Sequence, residues 1–218
     1  YAGDVGIGPN PKLAAAIKEA DLVLLVGGRF GEMPSSDYTL LKSPYPDQTL
    51  VHVHADANEL GRVYRPALAV NASPAAFVKA FAAVLPKSPP AWERRTETLH
   101  KSYLDWSTPP ESGPGPVQMG PIMSYLETVL PDDTIVTNGA GNYATWVHRF
   151  HRFRRYGTQA APTSGSMGYG TPAAVAAKAL YPDRTVVAFA GDGCFMMNGQ
   201  EFATAIQYDL PIIVIVVN

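Results

Sequence analysis

The sequence predicts an α/β fold built as two domains, each a parallel sheet held between layers of helices (α/β/α). Three observations lead there. The all-apolar run 22–26 (LVLLV) and the largely apolar runs 185–190 (TVVAFA) and 211–217 (PIIVIVV) have the length and composition of buried parallel strands. They alternate with helix-like segments, the pattern of βαβ units with right-handed crossovers. Between the two alternating regions lies 107–117 (STPPESGPGPV), with four prolines and two glycines in eleven residues, a linker composition.

The elements follow in order. Asn10 is placed to cap a helix over 11–20, with Pro11 at its first position, where a missing N–H costs nothing. The strand 22–26 runs into Gly27-Gly28, and 49–54 (TLVHVH) is a second strand. Ser73 and Pro74 open a helix that the pattern carries to Leu85. A proline-rich stretch at 86–90 precedes an amphipathic helix over 92–106. Beyond the linker, helices are expected at 121–130, 142–150, 171–180 and 199–208. Strands are expected at 134–137, 156–160, 185–190 and 211–217. The domains are therefore 1–106, the linker 107–117, and 118–218.

Bulk composition excludes several classes of function. The 218 residues are 46% apolar and 17% charged, which suits packed cores rather than disorder. A net charge of −2 leaves no electrostatic footprint for nucleic acid. The basic cluster 148–155 reads as a solvated helix face, with His148 and His151 at the surface. No apolar run reaches the roughly 20 residues that span a bilayer. No secretory signal is visible, and the single cysteine fits a reducing compartment, so a cytoplasmic location is expected. The chain has no initiator methionine and stops directly after an apolar strand. It is therefore expected to belong to a longer protein.

The chemistry concentrates after 185–190, where the strand runs into Gly191-Asp192-Gly193-Cys194. In open parallel sheets ligands sit off the carboxyl ends of strands. Glycines on both sides of Asp192 let the backbone approach a ligand closely. A lone carboxylate beside free backbone N–H groups suits a hard cation that bridges phosphate oxygens, and Mg²⁺ favours such a set. A helix, a strand and Asn218 follow. A second strand–glycine loop–helix segment lies at Asn138-Gly139-Ala140-Gly141-Asn142-Tyr143, another anion-binding arrangement. Met167 stands in a third glycine-rich segment, Ser164-Gly165-Ser166-Met167-Gly168-Tyr169-Gly170-Thr171-Pro172, 25 positions before Asp192.

Together these segments resemble the thiamine-diphosphate enzymes, and within them the acetolactate-synthase-like branch. The resemblance spans nearly the whole chain. Residues 20–30 (ADLVLLVGGRF) and 52–62 (HVHADANELGR) are similar to the central domain of that family. On this resemblance 1–106 is the rear of a Rossmann-like central domain with its trailing helix, and 118–218 is the diphosphate-binding domain, truncated at its C-terminus.

The resemblance also implies the roles. Asp192 is the metal ligand. Ala140, Gly141, Asn142, Tyr143, Gly165, Met167, Gly191, Gly193, Cys194 and Asn218 join it around thiamine diphosphate and Mg²⁺. Met167 is the wedge beneath the bent cofactor, a place suited to a polarizable side chain. The catalytic glutamate of the family belongs to an N-terminal domain outside this sequence. No catalytic residue is therefore expected in this chain, and this segment alone is expected to be inactive. The implied reaction is decarboxylation of a small-molecule 2-keto acid with carboligation, by a homodimer or homotetramer whose site lies between subunits. A thiamine-dependent decarboxylase or acyltransferase is the near alternative. FAD is held in the central domain of some members, and Arg29 matches the Arg that touches it. Here, however, the Asp-Asp-Arg that often follows is replaced by Gly31-Glu32-Met33, so a structural central domain is the expectation.

Other readings remain beside these. A non-catalytic nucleotide-binding domain is suggested by Gly139-x-Gly141-x-x-Ala144 after a strand, but no acidic residue for a ribose follows about 20 positions on. Cys194, close after the turn, is not expected to be a nucleophile. His52 and His54 share a strand face, with no third metal ligand spaced to join them.

Overall fold

The computed structural model describes every residue except Pro86, Lys87, Pro89 and Pro114. Those four fall in the predicted proline-rich stretch and linker, so these parts of the reading lie outside the described residues. The chain divides into two compact units, Tyr1–Trp106 and Ser107–Asn218. Each has a parallel sheet with flanking helices, the predicted α/β class.

In the first unit the order is α1 (Pro11–Lys18), β1 (Leu22–Val26), β2 (Thr49–His54), β3 (Leu68–Asn71), α2 (Pro74–Ala82) and α3 (Glu93–Trp106). The strands lie in the order β1-β2-β3, all parallel. Asn10 and Ser73 cap α1 and α2, each side chain accepting a backbone N–H from the first turn. Helix α2 stops at Ala82, short of Leu85, because its last turn tightens: Ala83 N–H bonds Ala80 O. Strand β3 is too short and too exposed to show in the sequence pattern. The apolar run of β1 predicts burial on both faces. At the sheet edge, however, Leu22 is 53% and Leu24 38% exposed.

The second unit contains α4 (Met119–Val129), β4 (Ile135–Asn138), α5 (Ala144–Phe150), β5 (Gln159–Ala160), α6 (Gly170–Leu180), β6 (Val186–Gly191), α7 (Asp192–Asn198), α8 (Glu201–Gln207) and β7 (Ile213–Val217). The parallel sheet runs β5-β4-β6-β7. Every residue of β4 and β6 is buried. Alternation sorts their side chains. Ile135, Val186 and Ala188 pack toward Ala174 of α6. Val136, Val187 and Phe189 face the other way, toward Met123, Val147 and Phe150. Phe189 alone, fully buried, contributes about 2–3 kcal/mol by area.

Three details depart from the sequence reading. Helix α5 starts at Ala144 rather than at 142, with Tyr143 as its N-cap and Gly141 outside helical space at φ +149°. The helix predicted over 199–208 is shorter (α8), and a separate helix, α7, precedes it where the glycine motif predicts only a turn. Strand β7, predicted to be buried, is an edge strand with Ile213 and Val216 about half exposed. Among the described residues no helix is long and apolar enough to cross a membrane.

Candidate cofactor site

The sheet order creates a crevice. From β4 the chain passes through α5 to β5 on one side; from β6 it passes through α7 and α8 to β7 on the other. The carboxyl ends of β4 and β6 are therefore a topological switch point, the place where parallel α/β sheets hold ligands. A cavity of about 380 Å³ opens there. It is lined by Ala140, Gly141, Asn142, Tyr143 and Trp146 after β4, by Met167, by Gly191, Asp192, Gly193 and Cys194 at the end of β6, and by Val217. Its size falls in the range of small-molecule sites.

Nine of the eleven predicted site residues meet in this cavity. Gly165 and Asn218 are not part of its wall. Gly165 is exposed on the loop before α6, and Asn218 is exposed one residue past β7. Trp146 and Val217 line the cavity without having been predicted. Trp146 follows Asn142 by four positions, and in the helix predicted from 142 that spacing puts the two on one face, a signal that could have indicated it.

Asp192 is the first residue of α7, and Gly191 caps the helix without a side-chain bond. The opening N–H groups of a helix have no partner within it, so those of the first turn remain for an anion. Asp192 is exposed, and among the described residues no hydrogen bond or ion pair engages its carboxylate. No group of three or more His, Cys, Asp or Glu converges there or elsewhere among the described residues. A cation at Asp192 would thus depend on carbonyls, water and the oxygens of a bound phosphate, the set that Mg²⁺ accepts.

The wall has little room for side chains. A Cβ on Gly193 would lie 3.6 Å from Met167 Cε, so the two approach across the cavity. A Cβ on Gly191 would stand 3.0 Å from the Tyr143 ring. One on Gly170 would stand 3.0 Å from the Gly139 nitrogen. Backbone at Gly191–Gly193 lines one side of the crevice, and 46%-exposed Met167 faces it. Both features fit a phosphate-bearing heteroaromatic ligand.

Cys194 and Tyr143 turn inward. Cys194 is 3% exposed, and its Sγ accepts the Gly168 N–H at 3.0 Å. Tyr143 Oη accepts the Gly139 N–H at 2.9 Å and lies 3.3 Å from Cys194 Sγ. Burial, then the neighbouring thiol, pushes the Tyr143 hydroxyl well above its ordinary range, so it stays protonated. What Cys194 offers a ligand is therefore backbone, not thiol. His148 is exposed, as the sequence reading expects, and its Nε2 bonds Asn138 Oδ1 at 3.2 Å.

His151 is not the surface residue the sequence suggests. It is partly buried, and burial lowers its pKa, with Glu127 opposing and Arg154 adding to the shift. Within the basic cluster Arg154 is paired, binding Glu127 at 2.6 Å and Asp132 at 3.5 Å.

In the first unit, His52 is buried with Nε2 2.9 Å from Gly28 O, and His54 Nδ1 accepts the Asp56 N–H at 3.0 Å. Arg29, 74% exposed, reaches Glu59 at 4.0 Å.

Comparison with known proteins agrees with this geometry. The family described as "Thiamine pyrophosphate enzyme, C-terminal TPP binding domain" matches residues 139–218, and "Thiamine pyrophosphate enzyme, central domain" matches 1–81. Similar proteins include the acetolactate synthase isozyme 1 large subunit of Escherichia coli, 29% identical over 93% of this chain and 35% of its own length. The acetolactate synthase large subunit of Parasynechococcus marenigrum is 31% identical over 93% of this chain and 33% of its own. The isozyme 2 large subunit of Escherichia coli is 28% identical over 100% and 38%. The chain thus spans about a third of the length of the curated relatives it matches. The chain belongs to the thiamine-pyrophosphate-dependent enzyme family, on the acetolactate-synthase-like side of it.

Proposed function

We propose that this chain supplies the diphosphate half of a site for thiamine diphosphate and Mg²⁺ in an enzyme that decarboxylates a 2-keto acid and joins the remainder to a second carbonyl. The observation that carries the reading is the cavity at the β4/β6 switch point, with Asp192 on one wall and Met167 on the other. When bound, thiamine diphosphate supplies the electron sink that such a decarboxylation needs.

The chain's own residues do the rest. Asp192 holds the cation. The first-turn N–H groups of α7 would receive the phosphate oxygens of the cofactor. Met167 packs against the cofactor rings. Gly141, Asn142 and Trp146 close the β4 side and keep water from that flank. Residues 118–218 form the diphosphate domain, 107–117 the linker, and 1–106 the rear of the central domain with a structural role. The acidic group that activates the cofactor comes from the partner subunit, so the working unit is at least a homodimer.

The test is pyruvate consumption by the intact gene product with Mg²⁺, with and without thiamine diphosphate, while acetolactate is followed as product. Cofactor-dependent acetolactate supports the carboligase. Acetaldehyde alone would move the reading to a decarboxylase. Unchanged thermal stability with thiamine diphosphate and Mg²⁺, together with a rise on adding NAD, would replace it with a nucleotide-binding domain.

A further inference from the structure

We propose that Cys194 is a positioning residue whose thiol, locked to Tyr143, sets the three loops around the cofactor cavity relative to one another. The inference rests on the cofactor reading above and deepens it.

Two side-chain atoms tie these loops together. Tyr143 Oη takes the N–H of Gly139, from the loop after β4, and the N–H of Gly191, from the end of β6, also faces it. Cys194 Sγ takes the N–H of Gly168, the residue after Met167. The two atoms lie 3.3 Å apart and bond to each other, whichever is the donor. The loop with the diphosphate-facing backbone, the loop with the methionine wedge and the loop after β4 are thereby joined at one buried point.

The surrounding glycines show how little play the junction has. A Cβ on Gly139 would fall well inside contact distance of Sγ. Gly168 has φ +79°, where a side chain is strained, and a Cβ there would lie 2.8 Å from Asn198 Nδ2. Polar groups this deeply buried are costly to orphan. Deleting the thiol therefore releases the Gly168 N–H and the Tyr143 hydroxyl together. The loop carrying Met167 then loses its fixed distance from the Gly191–Gly193 backbone. A bent ligand that must touch both loops at once would sense that change directly.

Trp146 lines the same cavity and supplies a readout independent of turnover. Its fluorescence is followed as thiamine diphosphate with Mg²⁺ is titrated into the intact gene product and into Cys194→Ala, Cys194→Ser and Tyr143→Phe. Cys194→Ala and Tyr143→Phe are each expected to raise the Kd at least about tenfold. In the double variant the effect should be less than the product of the two, because both remove one junction. Cys194→Ser, which keeps an acceptor for the Gly168 N–H, should recover most of the affinity. Equal Kd values in parent and all variants, with only a lowered melting temperature, would overturn the proposal and leave Cys194 a packing residue. Binding by Cys194→Ser as weak as that of Cys194→Ala would overturn it too. If the parent itself does not bind, the cofactor reading falls and this proposal falls with it.

Discussion

Asn198 Nδ2 donates to the carbonyl oxygen of Gly168 at 2.9 Å, so α7 grips Gly168 from both sides. Its first turn takes the N–H through Cys194, and its last residue takes the C=O. The segment bearing Met167 is thus docked on the helix that begins at Asp192.

Asp192→Ala should abolish Mg²⁺-dependent binding of thiamine diphosphate, while the fold persists because the side chain is exposed and no described residue engages it. Calorimetric titration with and without Mg²⁺ checks this. An unchanged Kd would falsify the metal assignment.

Gly139→Ala places a methyl group against Cys194 Sγ in a fully packed region. Overpacking of this kind costs about 1–3 kcal/mol. Adding Cys194→Ala removes the obstructing sulfur, so the pair should be less unstable than the sum of its parts. Urea midpoints of the four proteins decide the matter, and strict additivity would show that the two sites do not compete for space.

Ser36, Asp37 and Tyr38 occupy three consecutive left-handed positions, φ +51°, +56° and +60°, without a glycine among them. Buried Ser35 holds the turn: its hydroxyl donates to Gly31 O at 2.7 Å and accepts the Tyr38 N–H at 3.0 Å. Each non-glycine residue there carries roughly 1–2 kcal/mol of strain. After the entropy cost of glycine, Ser36→Gly should still stabilise the chain by about 0.5–1 kcal/mol. A lower melting temperature would show that the serine side chain makes a contact worth more than the strain.

His151 predicts a pH dependence. Its pKa is lowered in the folded state by burial, so the unfolded chain binds the proton more readily. Stability then rises with pH between the folded pKa and the unfolded value near about 6.5. It is complete above that value and is lost as pH falls below it. Urea unfolding between about pH 5 and 7.5 should show a shallower slope for His151→Gln than for the parent. Parallel curves would mean that His151 titrates alike in both states.

Much of this molecule is legible in its residues. The strands 22–26 and 49–54 coincide with β1 and β2, because five- and six-residue apolar or alternating runs have few other uses. Asn10, Ser73 and their prolines mark helix starts by a local mechanism that tertiary contacts do not override. The convergence of Tyr143, Met167 and Asp192 on one cavity follows from glycine loops that stand next to parallel strands. What escapes the pattern is non-local. Helix α7 is short, starts inside a glycine motif and carries no side-chain cap, so nothing in its own sequence announces it. The exposure of Leu22 and Ile213 depends on each strand being a sheet edge, which is a property of strand order. The inward turn of Cys194 depends on Tyr143 and Gly168, far away in the chain.

The pairing of β4 directly with β6 also has a kinetic meaning. Residues 139–185, which include α5, β5, the Met167 loop and α6, must be made and looped out before Ile135 can meet Val186. Such non-local pairing is slow, since the entropy of closing the loop is spent before any contact returns it. The crevice therefore has no precursor in a nascent chain. It comes into being in the same event that zips β6 into the sheet, and a chain caught before that event holds none of the grip on its ligand that the finished domain has.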